Sequence, residues 1–239
     1  HTNSLMRCLV TGGTGFIGSP LEGELHARGH EVTALSRSPA DAAFPGGVRT
    51  VVGDLTDPGS VETAFAGADA VVNLVALSPL FAPSGGNTMH ERVHLGGTRH
   101  AVDAAEANGV ERFVQLSALG ADPDGPTAYL RAKGAAEAVV RTSALSSVVV
   151  RPSVVFGDGG EFLSFTRRLT TPYVTGLPGG GRTRFQPIWV GDLVPMVADA
   201  VDRADHGGHA YDLGGPEVHT LADVARLVHR ARGRPLVVL

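Results

Sequence analysis

The chain has 239 residues, 43% of them hydrophobic, with 24 acidic against 20 basic side chains and a formal net charge of −4. That length can bury a full core and fits one large domain, or one domain with a small lobe. The charge gives no reason to expect nucleic acid or an anionic membrane as a partner. The lone Cys8 sits in an apolar run and reads as a small buried residue, so no disulfide framework is expected and a reducing, cytoplasmic compartment is. No apolar run reaches membrane-spanning length, and no secretory signal pattern is present.

His1 to Leu5, ahead of Met6, read as foreign to the protein and are set apart from the fold. Met6 to Thr11 is a short apolar run, expected as a buried strand. Gly12-Gly13-Thr14-Gly15-Phe16-Ile17-Gly18 follows, and then Leu21, Leu25 and Ala27 at helical spacing. Gly13, Gly15 and Gly18 satisfy G-x-G-x-x-G, and Gly12, Gly15 and Gly18 satisfy a wider-spaced variant. Strand, glycine turn and helix together form a dinucleotide site. The glycines let the backbone approach a pyrophosphate, and the helix N-terminus offers it free N–H groups and partial positive charge. Pro20 is tolerated in the first helical turn, which has no N–H bonds to lose. Gly12, Thr14, Gly15, Phe16, Ile17 and Gly18 are therefore expected to touch the coenzyme.

Strands are expected at Glu31 to Leu35, Val48 to Gly53, Asp69 to Val75, Arg112 to Leu116 and Val148 to Val150. Helices are expected around Val61 to Phe65, over Met89 to Asn108 with Gly109 as its C-cap, and over Tyr129 to Arg141. Such alternation implies an α/β, Rossmann-type doubly wound parallel sheet with helices on both faces. After Pro152 the texture loosens through Phe156 to Arg184. Helical stretches near Gly191 to Arg203 and Thr220 to Arg232 follow, with Tyr211 to Gly215 between them. The expected division is a dinucleotide-binding domain over 6–152 and a small substrate lobe over 153–239, interleaved with the core. Leu236 to Leu239 reads as a strand that ends abruptly, and the natural protein is expected to continue past it.

Strand two ends in Ser36-Arg37-Ser38, with no carboxylate to take a ribose 2′-hydroxyl. A 2′-phosphate would meet a guanidinium and two hydroxyls, so NADP(H) is favoured, with NAD(H) the open alternative. The bland reading of Arg37 is a solvated surface charge. Asp54 and Leu55, after strand three, are placed at the adenine edge, against a turn or cap role for Asp54.

Lys133 is the only lysine in the chain and stands four residues after Tyr129. A phenol titrates at about 10 and is a poor acid–base catalyst at neutral pH. A cation one helical turn away is expected to stabilise the phenolate and lower that value. Lysine is a compact point charge that can also donate to a ribose hydroxyl, a role in which arginine's planar fork is not equivalent.

Together Thr11 to Gly18, Asp54-Leu55, Tyr129 to Lys133 and Leu213-Gly214-Gly215-Pro216-Glu217 resemble the extended and atypical short-chain dehydrogenase/reductases, over nearly the whole chain. The run Gln115 to Ala121 with Tyr129-Leu130-Arg131 is most similar to the atypical branch that includes the NADPH-binding accessory subunit of respiratory complex I, and whose bacterial members are epimerase-like NAD(P)H-binding proteins. The resemblance implies Ser117, Tyr129 and Lys133 as the catalytic set. It also implies Ala76, Arg151, Pro152, Ser153 and Val154 near the coenzyme. Ser117 and Tyr129 are twelve positions apart; sugar-nucleotide epimerases of this superfamily have roughly twice that interval, filled by a substrate-contacting loop. The activity implied is an NADP(H)-dependent oxidoreductase acting on a small carbonyl or alcohol. The alternative is a non-catalytic NADP(H)-binding protein in redox sensing or complex assembly, alone, as a homodimer or in a larger complex.

A third signal competes. His90-Glu91-Arg92-Val93-His94, with Gly97 and His100, completes the zinc-protease pattern H-E-x-x-H-x-x-G-x-x-H. It falls where the helix between strands four and five must lie, and apolar periodicity continues through Val102 and Ala105, where a metzincin site would turn. No metal is therefore expected, and zinc hydrolysis is kept as a remote alternative. Phe156, Phe162, Phe165 and Trp189 are candidates for a pocket lining, Arg182 and Arg184 for contacts to an anionic substrate, and Asp192 for a helix N-cap.

Overall fold

The computed structural model describes residues 5–38 and 46–239; His1 to Ser4 of the leader lie outside them. Six strands come from the first two-thirds of the chain: β1 (Arg7–Thr11), β2 (Glu31–Ser36), β3 (Arg49–Val52), β4 (Ala70–Asn73), β5 (Arg112–Leu116) and β6 (Ser146–Pro152). A seventh, Ala210–Leu213, returns late to lie beside β6. All seven run parallel, in the order β3, β2, β1, β4, β5, β6 and then Ala210–Leu213. The order reverses between β1 and β4, and in open sheets of this kind ligands bind at the carboxyl edge beside that reversal. The register aligns that edge: Thr11 pairs with Leu35 and Asn73, Asn73 with Gln115, and Leu116 with Val150.

The sheet is apolar on both faces, as the near-continuous runs require. Successive side chains point to opposite faces. Cys8 and Val10 join Leu21 and Leu25 of α1 (Gly18–Ala27) and Leu193, Val197 and Val201 of the helix Val190–Asp202 in one core. Leu9 between them joins Phe65, Phe113, Ala101, Ala105 and Val140 in the other. Burial pushes the Cys8 thiol up to about 12, which leaves it inert at neutral pH.

The helical run α2 covers the second face in three stretches: Thr88–His90, a π-helical turn at Glu91–Gly96, and Gly97–Ala107. The helix α3 spans Ala128–Thr142, its first turn capped by Thr127, whose hydroxyl accepts from the Leu130 N–H at 3.1 Å. The helix expected around Val61 to Phe65 is realised as two short 3-10 turns, Pro58–Ser60 and Glu62–Phe65; Gly59 and Gly67 leave too little uninterrupted sequence for a nucleated α-helix.

The stretch Phe156 to Arg184, loose in sequence, contains the amphipathic helix Glu161–Leu169 and short strands. It gathers with the helix Leu221–Arg230 around Leu177, Leu221, Ala222 and Ala225. The tail strand Leu236–Val238 pairs with Tyr173–Thr175. No helix among the described residues is long and apolar enough to cross a membrane.

Candidate functional site

The glycine turn follows directly from β1. Gly12 takes φ of 74°, a conformation that side chains rarely adopt, and a Cβ there would lie 3.2 Å from the Leu74 backbone. A Cβ on Gly18 would lie 2.5 Å from the Gly12 and Gly13 carbonyls, so the helix can start this close to the turn only with glycine. The Gly15 N–H bonds the Gly12 carbonyl at 3.0 Å, and Thr14 is exposed above the loop. Phe16 turns its ring onto Gly157 and Gly160, joining the loop to the segment after β6, while Ile17 packs partly into the first core. This is a cradle a side chain would fill, and it fits a pyrophosphate on the N-terminus of α1.

Ser36, at the end of β2, is buried; its Oγ lies 3.3 Å from the Thr14 hydroxyl and accepts from the Ser38 N–H at 3.2 Å. Arg37 is exposed beside it. Asp54 is occupied within its own turn, accepting from the Thr56 N–H and hydroxyl, each at 2.8 Å. Burial opposes its ionisation, but those bonds and the Arg37 and Arg92 cations hold the carboxyl below its usual range. Leu55 is not an adenine contact through its side chain. It is 3% exposed, sits in the second core, and its carbonyl accepts from His100 Nδ1 at 2.6 Å.

The carboxyl ends of β4, β5 and β6 bring the remaining candidates together. Ala76 is exposed after β4. Ser117, one residue past β5, is 4% exposed, and its Oγ has no hydrogen-bond partner among the described residues. Lys133 is buried, and its Nζ donates to the Leu116 carbonyl at 3.0 Å, next to Ser117. The same Nζ lies 5.9 Å from the centre of the Tyr129 ring. Burial lowers the ammonium to about 8, the Glu137 charge working the other way. The expected lowering of the Tyr129 phenol does not occur. Burial pushes it up to about 12, because desolvation outweighs a cation whose hydrogen bond is spent on a carbonyl.

After β6, Arg151 is engaged by protein rather than open to a ligand. Its Nε donates to Glu137 at 2.8 Å and Nη1 lies 3.5 Å from Asp212, so it clamps α3 to the sheet. Pro152 is buried, the Ser153 N–H bonds the Leu213 carbonyl, and the Val154 carbonyl accepts from Ile188.

The zinc-like run is held in another way. His90 and His94 stack on one another with ring centres 5.6 Å apart and meet the Tyr129 ring edge-on at 5.7 and 5.3 Å. His100 points away to Leu55. Among the described residues no three metal-ligating side chains converge.

Sequence reasoning did not single out Asn73, which joins Thr11, Thr98 and Gln115 in a buried network across β1, β4, β5 and α2; its signal was a polar residue inside an apolar strand. Glu22 was also missed. It is fully buried with both carboxylate oxygens unpartnered among the described residues, and its side chain fills the space where Gly13 would carry a Cβ. It shares the helical spacing of Gly18, Leu21 and Leu25, so its burial was legible.

Phe156, Phe162 and Trp189 line an apolar cavity of about 490 Å³, with Asp192, Glu217 and His219 among its polar lining. Phe165 instead packs edge-on against Phe81 at 5.6 Å. Asp192 is not the N-cap: Trp189 holds that position without a side-chain bond.

With this fold and edge in view, comparison with known proteins gives a consistent result. A family model described as NAD(P)H-binding matches residues 12–168. The chain belongs to this NAD(P)H-binding family, within the atypical short-chain dehydrogenase/reductases. Over 229 residues it is 31% identical to the mitochondrial NADH dehydrogenase [ubiquinone] 1 alpha subcomplex subunit 9 of Arabidopsis thaliana, covering 92% of this chain but 56% of that protein. It thus spans little more than half of that relative's length. It is 29% identical over 265 residues to a 3-beta-hydroxysteroid dehydrogenase of Mycolicibacterium neoaurum, covering 97% of this chain and 72% of the relative. The Thermus thermophilus UDP-glucose 4-epimerase, solved with NAD, superimposes with a TM-score of 0.81 at 27% identity over 98% of this chain and 86% of the epimerase.

Proposed function

We propose that this protein is an NADP(H)-dependent oxidoreductase that interconverts a small carbonyl and its alcohol, with Ser117, Tyr129 and Lys133 as the reacting set. The observation that carries the reading is the convergence of a buried ammonium, a phenol and an unpartnered serine hydroxyl at the edge where the glycine cradle opens. Bound there, a nicotinamide coenzyme would supply hydride transfer. The backbone around Gly12 to Gly18 would hold its diphosphate, Arg37 with Ser36 and Ser38 its 2′-phosphate, and Lys133 its ribose hydroxyls. Tyr129 exchanges a proton with the substrate oxygen, and Ser117 donates to that oxygen as charge develops on it. The segment after Pro152, with its apolar cavity, serves as the substrate lobe.

Fluorescence titration tests the coenzyme: NADPH should bind tighter than NADH, and Arg37→Ala should weaken NADPH by about tenfold or more while leaving NADH nearly unchanged. Equal affinities in the unmodified protein would overturn the assignment of Arg37.

The relative named as a subunit of NADH dehydrogenase favours a second reading, a coenzyme-binding protein that does not turn over. Tyr129→Phe separates the two. The enzyme reading expects turnover to fall about a hundred- to ten-thousandfold with NADPH affinity retained; unchanged carbonyl reduction in the variant sinks it.

A further inference from the structure

The imidazoles of His90 and His94 lie against the Tyr129 ring, and the proposed chemistry gives them no part. Both are buried, at 5% and 2% exposure. They lie nearly parallel, 13° apart, and both meet the Tyr129 ring close to perpendicular, at 79° and 89°. The π-helical turn Glu91–Gly96 begins between them, and turns of this kind re-aim side chains at functional sites.

The tautomer of His94 follows from its contacts. Its Nε2 accepts from the Leu77 N–H at 3.4 Å, so a neutral ring carries its proton on Nδ1. Burial, with Lys133 and then His90 adding to it, pushes the imidazolium down to about 2, so the ring is neutral at every working pH. His90 is likewise lowered by burial. Among the described residues, the charges that act on His94 are those of Lys133 and His90. From α3 there is Lys133, with Glu137 behind it paired to Arg151; from the β4 loop the Leu77 N–H bonds His94; Glu91 and Arg92 on their own helix are exposed.

We infer that the stacked pair His90–His94 is a positioning wall, not a metal site: it fixes the ring plane of Tyr129 and covers one flank of the phenol, while the side chain keeps part of its surface open to solvent. The inference rests on the reading of Tyr129 as the acid–base group. During reduction the Tyr129 O–H bond breaks as the O–H bond at the former carbonyl oxygen forms, and the phenolate left behind regains its proton from water. An ordinary phenol is already protonated at neutral pH; one flanked in this way stays so further into alkali, which moves the alkaline limb of the proton-taking direction to higher pH.

Phenolate absorbance tests the wall without coenzyme or substrate. The Tyr129 contribution is the difference between the unmodified protein and Tyr129→Phe, which leaves Tyr173 and Tyr211 as background. Its midpoint should lie above the ordinary phenol value of about 10. His94→Ser and His90→Ser, each with an unchanged circular dichroism spectrum, should lower it by at least about one pH unit by admitting water. His94→Phe, which keeps the aromatic wall and drops the nitrogens, should leave it where it was. An unmoved midpoint in the folded serine variants, or an ordinary midpoint in the unmodified protein, overturns the inference. Should His94→Ser not fold, His90→Ser decides by the same criterion. A protein that fails to bind NADPH defeats the oxidoreductase reading and leaves this titration standing, so the two failures are distinct.

Discussion

Glu22 shows how much a single side chain can set against its surroundings. Its carboxyl is fully buried between α1 and the glycine turn with no hydrogen-bond partner among the described residues, and burial pushes it up to about 8. The folded state therefore holds the proton that the unfolded chain releases at about 4.3. Below that value both states are protonated and the site costs nothing in ionisation. As pH rises from there to about 8, stability falls, and above 8 the loss is complete. Glu22→Leu should thus be more stable than the unmodified protein at pH 8, by on the order of a few kcal/mol, with the gap closing near pH 4. Urea denaturation at the two pH values measures it, and a gap independent of pH would contradict the burial argument. Gly18→Ala tests the cradle itself. Its Cβ would press on two carbonyls of the turn, so coenzyme affinity should fall at least about tenfold in a fluorescence titration.

Among the elements, α3 carries the site, because Tyr129 and Lys133 lie one turn apart within its 15 residues. Its buried face includes Lys133, Glu137 and Val140, at helical spacing. Lys133 is drawn to the end of β5 and Glu137 to Arg151 of β6, so the helix is pinned to two strands by polar contacts as well as by packing. Gly134 lets the loop before the helix lie against it: a Cβ there would be 2.6 Å from Asp122 Cα. Thr127 caps the first turn two residues before Tyr129. Thr127→Ala should cost about 1 kcal/mol in chemical denaturation, since it leaves a first-turn N–H without its partner. Sequence periodicity found this helix to within a residue at each end. It did not find the π turn in α2, which changes the hydrogen-bond span without changing the apolar pattern.

Across the whole molecule, the late segments close the fold. The helix Val190–Asp202 packs on α1, and an ionic cluster joins them. Arg28 donates to Asp199 at 2.6 Å and to Asp202 at 2.8 Å, while His30 meets the same Asp202 at 2.7 Å. The Asp202 side chain is 3% exposed, so this cluster lies between an open surface pair and a buried one. Asp202→Ala should destabilise the protein by about 2 kcal/mol, because it leaves the buried His30 ring nitrogen without its acceptor and takes from Arg28 one of its carboxylates, Asp199 and Glu24 remaining. A urea midpoint unchanged in that variant would show the cluster to be ornamental to stability. Nothing in local sequence pairs Arg28 with Asp202, because their separation of 174 positions is bridged only when the sheet order is complete.

By itself the sequence determined the strands β1 to β6, the glycine turn, the helix that bears Tyr129 and Lys133, and the parallel class of the sheet, but not the late strand Ala210–Leu213 that completes it. Each of these is written in short-range periodicity, or in glycines that a close backbone approach demands. Only the tertiary structure decided which polar groups remain available. It turned Arg151 toward Glu137, buried Leu55, raised Tyr129 where the neighbouring lysine suggested the reverse, and set His90 and His94 against the phenol. These outcomes depend on desolvation and on partners from distant strands, and neither quantity is carried by the spacing of residues along a chain.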